Sequence, residues 1–433
     1  MDNEKMHTPL GNEITLLSEN GIPVYFSPNP ALHSFCLSLY VRGGSLFEAP
    51  AESGSTHLLE HLLFRHLDNL LGGGLSRELD MRGLAFDAIT YREFMWVSLS
   101  GAPKHLARAI EILSLLLAPL SVSREDLEAE RARVRAEIRE DGEKTSLEYF
   151  SDGVLYRDTS LVQSVLGSAS SLARMTRARL SAFKTALFTK ENLFFCLTGN
   201  AEEESAKALA TAIGAYKLPF GKKRESIAPL SDGVFKRNGL VAVRNSRRTV
   251  VRLSIDVDLS KTTDAALTLL YDILFGDGEE CRLHRALSEK AGFIYSFSAS
   301  LEQYKNVAFI HVLYEIPRGK LESSLSILLS VLKDAKLSIA DALPYAKAPY
   351  TDNAAFVLDS ARDFNFTLAY DRHILGLPYS SIEARKAAFL AVSAEDLLSL
   401  AREILRPDCL ALSIKADKRT LNEEALRAML RGV

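Results

Sequence analysis

The chain predicts an α+β protein built from two similar halves, and three observations carry that prediction. An Asn-Gly turn signal opens an extended run twice, at Asn20 and at Asn238. Each run is followed by long segments with apolar residues at helical spacing. Between the halves lies "YKLPFGKKRESIAPLSDG", whose two prolines, two glycines and cluster of charges read as an exposed connection.

Taken in order, "NGIPVYFSPNPALHSFCLSLYVRGG" alternates β-branched and aromatic residues with polar ones, as two strands joined by a turn would. "KHLARAIEILSLLLAPL" then predicts an amphipathic helix. The second half repeats the plan with "NGLVAVRNSRRTVVRLSIDVDLS", "ALTLLYDILF" and "SSLSILLSVLKDA". Strands on short turns interspersed with helices predict a mainly antiparallel sheet flanked by helices in each half. The expected domains are residues 1–217 and 236–433, joined by a linker at 218–235.

Composition narrows the function. The 433 residues are 47% hydrophobic and 25% charged, enough for two cores of ordinary size. With 52 basic and 55 acidic residues mixed along the chain, no nucleic-acid footprint stands out. "NSRRTVVR" reads as a solvated turn and strand edge, and Gly72-Gly73-Gly74 leads into no phosphate-binding lysine. Apolar runs such as "ILSLLLAPL" are too short to span a bilayer, and the N-terminus has neither a secretory nor a transit pattern. Cys36, Cys196, Cys281 and Cys409 lie far apart without a CxxC pair, which points to free thiols and a cytoplasmic address.

The chemistry concentrates in "STHLLEHLLFRHLD", Ser55 to Asp68. On a helix, residues four apart project from one face about 6 Å apart, so His57 and His61 can present two imidazoles to one metal ion. Glu60 points close to the same place. Two histidines, a further protein ligand and an open position make a catalytic zinc site, and a carboxylate that does not bind the metal can take a proton from water. A single histidine on an apolar face is more often a hydrogen-bonded core residue, which is how His66 reads; the pair with its glutamate is what carries the argument. The acidic segment "SREDLEAERARVRAEIREDGEK" offers the further ligand, and spacing within it leaves Glu125, Glu128, Glu130, Glu137 and Glu140 all open.

These residues resemble the pitrilysin-type (M16) zinc peptidases, which carry the inverted motif HxxEH, and in particular the two-domain subfamily of mitochondrial and bacterial processing peptidases. Members place the third ligand a little over seventy residues after the second histidine, with another glutamate two helical turns before it. The resemblance therefore implies Glu137 as ligand, 76 residues after His61, with Glu130 as its partner and Glu60 as the general base. "VRGGSLFEAPAESGSTHLLEHLLF", "ENLFFCLTGN" and "ILFGDGEECRLHRALSEKAGFIYSFSAS" also resemble family segments, so the likeness runs through nearly the whole chain. It implies one zinc ion per chain, because HxxEH is absent from the second half.

The strand in "FDAITYREFMWVSLS" resembles the family's edge strand, onto which an extended peptide adds; Asp87, Ala88 and Thr90 are then substrate contacts. Two departures stand out. Asp87 replaces the family's asparagine, exchanging a donor and acceptor for an acceptor alone. The family's arginine and tyrosine of the second domain stand seven apart; Tyr295 is present, but the position seven before it is Ser288, with Arg285 a helical turn earlier.

The resemblance implies a zinc endopeptidase that cleaves unfolded peptides in a closed clamshell. It also implies a homodimer, or a heterodimer in which a second M16-like chain supplies the missing arginine. Two alternatives remain: the zinc-bearing subunit of a heterodimer that removes leader segments in peptide maturation, and a non-catalytic scaffold of the same fold.

Overall fold

The computed structural model describes residues 5–8, 11–140, 146–157, 159–224, 237, 239–379 and 381–433. The first sheet contains β1 (Lys5–Thr8), β2 (Gly11–Leu17), β3 (Pro23–Pro28), β4 (Phe35–Arg42), β5 (Ala85–Thr90), β6 (Phe94–Gly101) and β7 (Leu193–Gly199), in the order β1-β2-β3-β7-β4-β6-β5. The second contains β8 (Leu240–Asn245), β9 (Thr249–Asp258), β10 (Ser298–Gln303), β11 (Val307–Ile316) and β12 (Leu410–Ala416), in the order β10-β11-β9-β12-β8. One pair in each sheet is parallel, β3 with β7 and β8 with β12.

Without β1 and β2 the first sheet runs β3-β7-β4-β6-β5, and the second, read from its other edge, runs β8-β12-β9-β11-β10. The two paths are identical. The duplication is thus visible in topology even though the two halves share little sequence.

The α+β class and the mainly antiparallel pairing agree with the sequence, but the expected hairpins differ. Within the run from Asn20, β3 and β4 are not neighbours, because β7 inserts between them. The Asn20-Gly21 turn instead closes a hairpin of β3 with the upstream β2, Gly21 adopting φ 82°. In the second half β12 likewise separates β8 from β9; Asn238 lies outside the described residues. The reason is burial: all eight residues of β4 and all seven of β7 are buried, so each needs a neighbour on both edges and cover on both faces.

Side-chain alternation assigns those faces. Phe35, Leu37, Leu39 and Val41 of β4 pack in a core with Leu59, Leu63 and Leu67 of α1 (Ser55–Leu70) and with Ile112 and Leu113 of the helix Leu106–Ser114. Each fully buried leucine there contributes about 2 kcal/mol. The opposite face, with Tyr40, Trp96 and Phe194, packs against Ala369, Ile374 and the half-buried Phe366.

The compact units are therefore not the contiguous halves expected. The first unit combines residues 1–142, 163–226 and 355–384; the second combines 143–162, 227–354 and 385–433. Each sheet has a helix on one face that comes from the other half of the sequence. For the first sheet this is Ala361–Leu368, whose fully buried Asn365 donates from Nδ2 to the carbonyls of Cys36 and Cys196, both at 3.1 Å, and accepts from Tyr40 Oη at 3.0 Å. For the second it is Leu147–Leu155, where Asp152 pairs with Arg252 of β9 at 2.6 Å and Ser151 accepts from Ser413 of β12 at 2.9 Å. Of the expected linker, residues 218–224 form no helix or strand and 225–235 lie outside the described residues. Among the described residues no helix is long and apolar enough to cross a membrane.

Candidate metal centre

Helix α1 begins without a side-chain cap of its own. Gly54 precedes it with φ 84°, and the Glu48 carboxylate accepts from the Gly54 and Thr56 N–H groups, each at 2.7 Å. A carboxylate suits this end of a helix, where free N–H groups gather. Burial pushes Glu48 up, and the N–H bonds oppose that rise. A Cβ at Gly54 would stand 2.7 Å from Gly167 Cα, so the close approach here requires glycine.

Leu58, Leu59, Leu62, Leu63, His66 and Leu67 are buried, which leaves His57, Glu60, His61, Phe64 and Arg65 on one half-buried stripe of α1. That arrangement explains a helix with leucines on several sides and chemistry on the remaining one. His66 is separate from it. Its Nε2 donates to the Leu115 carbonyl at 3.1 Å and its Nδ1 accepts from the Ser121 N–H at 3.0 Å, as expected of a core histidine.

The second wall of the site is α2 (Arg124–Glu140), which packs on α1 through Leu127 and Val134. Seven residues apart, Glu130 and Glu137 face α1 together. Glu137 Oε1 lies 3.4 Å from His61 Nε2, and Glu137 Oε2 lies 3.6 Å from His57 Nε2. One donor atom from each of His57, His61 and Glu137 falls within 4.8 Å of the others, the one such group among the described residues. Of the other carboxylates in this segment, Glu128 is bonded to Arg131 at 2.6 Å, and Glu130 approaches His61 Nδ1 at 3.5 Å from behind.

Zinc fits this donor set. Two imidazole nitrogens and one carboxylate oxygen about 2.0–2.2 Å from one ion would stand about 3.3–3.6 Å apart in a tetrahedron. Glu137 meets each ring with a different oxygen, and one donor atom from each residue lies within 4.8 Å of the others, so the group is loose and would close by small side-chain rotations. Burial, and after it the neighbouring His61, pushes His57 down to about 4, which leaves its imidazole neutral. Its buried Nδ1 has no hydrogen-bond partner among the described residues, and its Nε2 is the nitrogen that faces Glu137.

Glu60 takes no part in that group. Its Oε2 accepts from the Thr90 hydroxyl at 2.7 Å, and burial raises its affinity for a proton while the Thr90 bond lowers it. Thr90 ends β5, the outermost strand of the sheet, which among the described residues pairs with β6 alone. Along β5 the side chains alternate. Phe86 meets Phe64 of α1 with ring centroids 5.5 Å apart, Ala88 packs against the same core, and Thr90 reaches Glu60. Asp87 points to the opposite face, where its Oδ2 pairs with Arg362 at 2.9 Å while that guanidinium lies over Trp96.

The site residues expected from sequence therefore divide. His57, Glu60, His61, Glu130, Glu137 and Thr90 come together in the first unit, with Ala88 on the same face of β5. Asp87 belongs to that unit on the other face. Tyr295 and Arg285 belong to the second unit. Tyr295 is 95% exposed and lies outside any strand. Arg285 is engaged by Glu280 at 2.7 Å and Glu289 at 4.0 Å. Glu48 and Arg362 carry no motif that would have singled them out; each is recognised only through its partners. A cavity of about 660 Å³ in the second unit is lined by residues including Lys261, Thr263, Glu395, Asp396 and Glu403; its Lys261 and Glu403 pair with each other, and its carboxylates form no three-residue ligand group among the described residues.

A duplicated α+β scaffold carrying a group of two histidines and one carboxylate is the class that fold and geometry define. Residues 24–168 match the model of the insulinase family, peptidase family M16, and residues 174–342 match that of the M16 inactive domain. Together these span more than half of the chain, and the chain belongs to peptidase family M16. An uncharacterized zinc protease of Mycobacterium bovis is 26% identical over 412 residues, 93% of each chain. In fold the chain is similar to the structure described as a peptidase M16 inactive domain from Pseudomonas fluorescens, with TM-score 0.80, 19% identity and coverage of 93% of this chain and 98% of that one. It is also similar to a chain of complex III2 from Candida albicans, with TM-score 0.76, 14% identity and coverage of 96% and 99%.

Proposed function

We propose that the chain is a zinc metalloendopeptidase that hydrolyses unfolded peptides, with His57, His61 and Glu137 holding one zinc ion and Glu60 as general base. The observation that carries this is the convergence of three donor atoms beside a carboxylate that is not one of them and is tied to the edge strand through Thr90. When bound, zinc acts as a Lewis acid that polarises the scissile carbonyl and makes water a better nucleophile.

The protein's own residues do the remainder. Glu60 receives the proton of the attacking water and passes it to the leaving amine, and the Thr90 hydroxyl fixes which of its oxygens is free to do so. The open edge of β5 offers main-chain donors and acceptors to an extended peptide. Because Thr90 ends that edge, a peptide added along β5 runs past Glu60. Main-chain pairing of this kind tolerates many sequences and excludes folded proteins. The chain acts in a closed chamber formed with a second M16-like chain. Four buried cysteines, none of them in a disulfide, support a cytoplasmic setting.

A specific observation favours the heterodimer among the partner arrangements. Ser288 occupies the position where the family has arginine, and Arg285 is already engaged by Glu280 and Glu289. The arginine then comes from the partner chain, and leader removal in peptide maturation is one use of such a pair. The non-catalytic scaffold is the competing reading.

The test is cleavage of a pool of unstructured peptides, read by mass spectrometry, for the parent and its Glu60→Gln variant. The variant is expected to keep its zinc and lose about 10²- to 10⁴-fold in rate, and a chelator is expected to abolish parental cleavage until zinc is returned. Equal cleavage by parent and variant would remove Glu60 from the mechanism. A zinc-loaded parent that stays inactive with every homologous partner chain would establish the scaffold instead.

A further inference from the structure

Glu130 is a carboxylate with only 2% of its side chain exposed, and two guanidinium groups meet it. Arg65 Nε donates to its Oε1 at 2.8 Å; Arg133 Nη1 donates to Oε1 at 2.9 Å and to Oε2 at 3.1 Å. Oε2 also faces His61 Nδ1 at 3.5 Å, while the Nε2 of that ring faces Glu137. The imidazole therefore stands between two carboxylates, one behind it and one beside the metal position.

We infer that Arg65 is a positioning residue for this centre. It pins Oε1 of Glu130 and so aims Oε2 at His61 Nδ1–H, which leaves the Nε2 lone pair for a cation. The inference rests on the zinc-site reading above.

Two physical reasons single out Arg65. A carboxylate this deeply buried needs compensation by charge and hydrogen bonds, and the two guanidinium groups are unequally placed to supply it. Arg133 is 62% exposed, on the same helix as Glu130, in a pair that water screens. Arg65 is 32% exposed and reaches across from α1, four residues after His61 on the same stripe. One helix thus carries both a metal-facing imidazole and the clamp for the carboxylate that orients it. Outer partners of this sort set ring orientation and ligand basicity, and losing one costs about 10- to 100-fold in metal affinity.

The experiment measures zinc affinity by competition with a chromogenic chelator for the parent, R65M, R65K, E130Q and the R65M/E130Q double variant, with thermal melting as the check on folding. R65M is expected to bind zinc about 10- to 100-fold more weakly. R65K, whose ammonium can reach the same oxygen, is expected to recover most of that loss. In the E130Q background, R65M is expected to change affinity by less than about twofold, because a coupled pair is non-additive.

A folded R65M with affinity within about twofold of the parent would overturn the inference, as would an equal loss with and without Glu130. If R65M does not fold, Arg65→Gln, alone and with E130Q, gives the same comparison, and additivity there would overturn it. A parent that binds no zinc, or binds it equally well after His57→Ala, would overturn the zinc-site reading and this inference together. Parental binding that depends on His57 but not on Arg65 would overturn the inference alone.

Discussion

At the scale of residues, the candidate centre depends on a few hydrogen bonds that fix how single groups point. Thr90 is the clearest case, since one hydroxyl joins the edge strand to Glu60. Replacing it with valine keeps shape and removes the bond, so Thr90→Val is expected to lower kcat/KM about tenfold at unchanged zinc content; unaltered kinetics would show that Glu60 needs no such restraint. His66 sets a pH dependence of stability. Burial, followed by the nearby Lys184 ammonium, lowers its pKa from 6.5 to about 3, and a second ring proton would face the Ser121 N–H. The unfolded chain then binds more protons than the folded chain between those values, so the neutral ring's contribution is complete above 6.5 and lost as pH falls towards 3. Between pH 7.5 and 5 this amounts to about 2 kcal/mol. Urea unfolding of the metal-free protein at both pH values should show that excess loss for the parent over His66→Gln; parallel losses would refute it.

At the scale of elements, α1 was legible in the sequence and its beginning was not. HxxEH at helical spacing predicts a shared face, and the structure has His57 and His61 with ring centroids 4.7 Å apart. The carboxylate at the start of α1 comes from Glu48, six residues before Gly54, which no local capping pattern specifies. The helix Ala361–Leu368 is a second element whose role emerges only in the fold. Its Asn365 satisfies two strand carbonyls and one tyrosine hydroxyl in a buried setting. Asn365→Ala is therefore expected to destabilise the protein by about 2–4 kcal/mol, because those groups remain buried without a partner. A melting temperature unchanged by the substitution would mean that water replaces the amide.

At the scale of the whole molecule, the duplication and the exchanged helices belong together. The first sheet contains two fully buried strands and the second has three strands buried over most of their length, and each sheet receives a covering helix from the other half of the sequence. The same duplication leaves one metal motif per chain and a second half without the family's arginine. From this, addition of a homologous chain with arginine seven residues before its tyrosine is expected to raise peptide cleavage about tenfold or more, since a desolvated guanidinium on the substrate is a strong, charge-assisted contact. Full activity of the isolated chain, with no response to such a partner, would contradict the heterodimer.

Family resemblance supplied the choice of Glu137 and Glu130, while periodicity and motif spacing in the amino-acid sequence by themselves determined the α+β class, the duplicated plan and the shared face of His57 and His61 on α1. These are local properties: a helix or strand repeats at a known period, so neighbours on one face can be counted from the chain. Tertiary structure alone decided that β7 separates β3 from β4, that Asp87 turns away from α1 towards Arg362, that Glu48 meets the start of α1, that Thr90 bonds Glu60 and that Arg65 meets Glu130. Each of those is a contact between segments far apart in sequence, or a choice of sheet face. Such contacts are selected by which buried surfaces and unpaired polar groups must be satisfied together, and no periodicity records that selection.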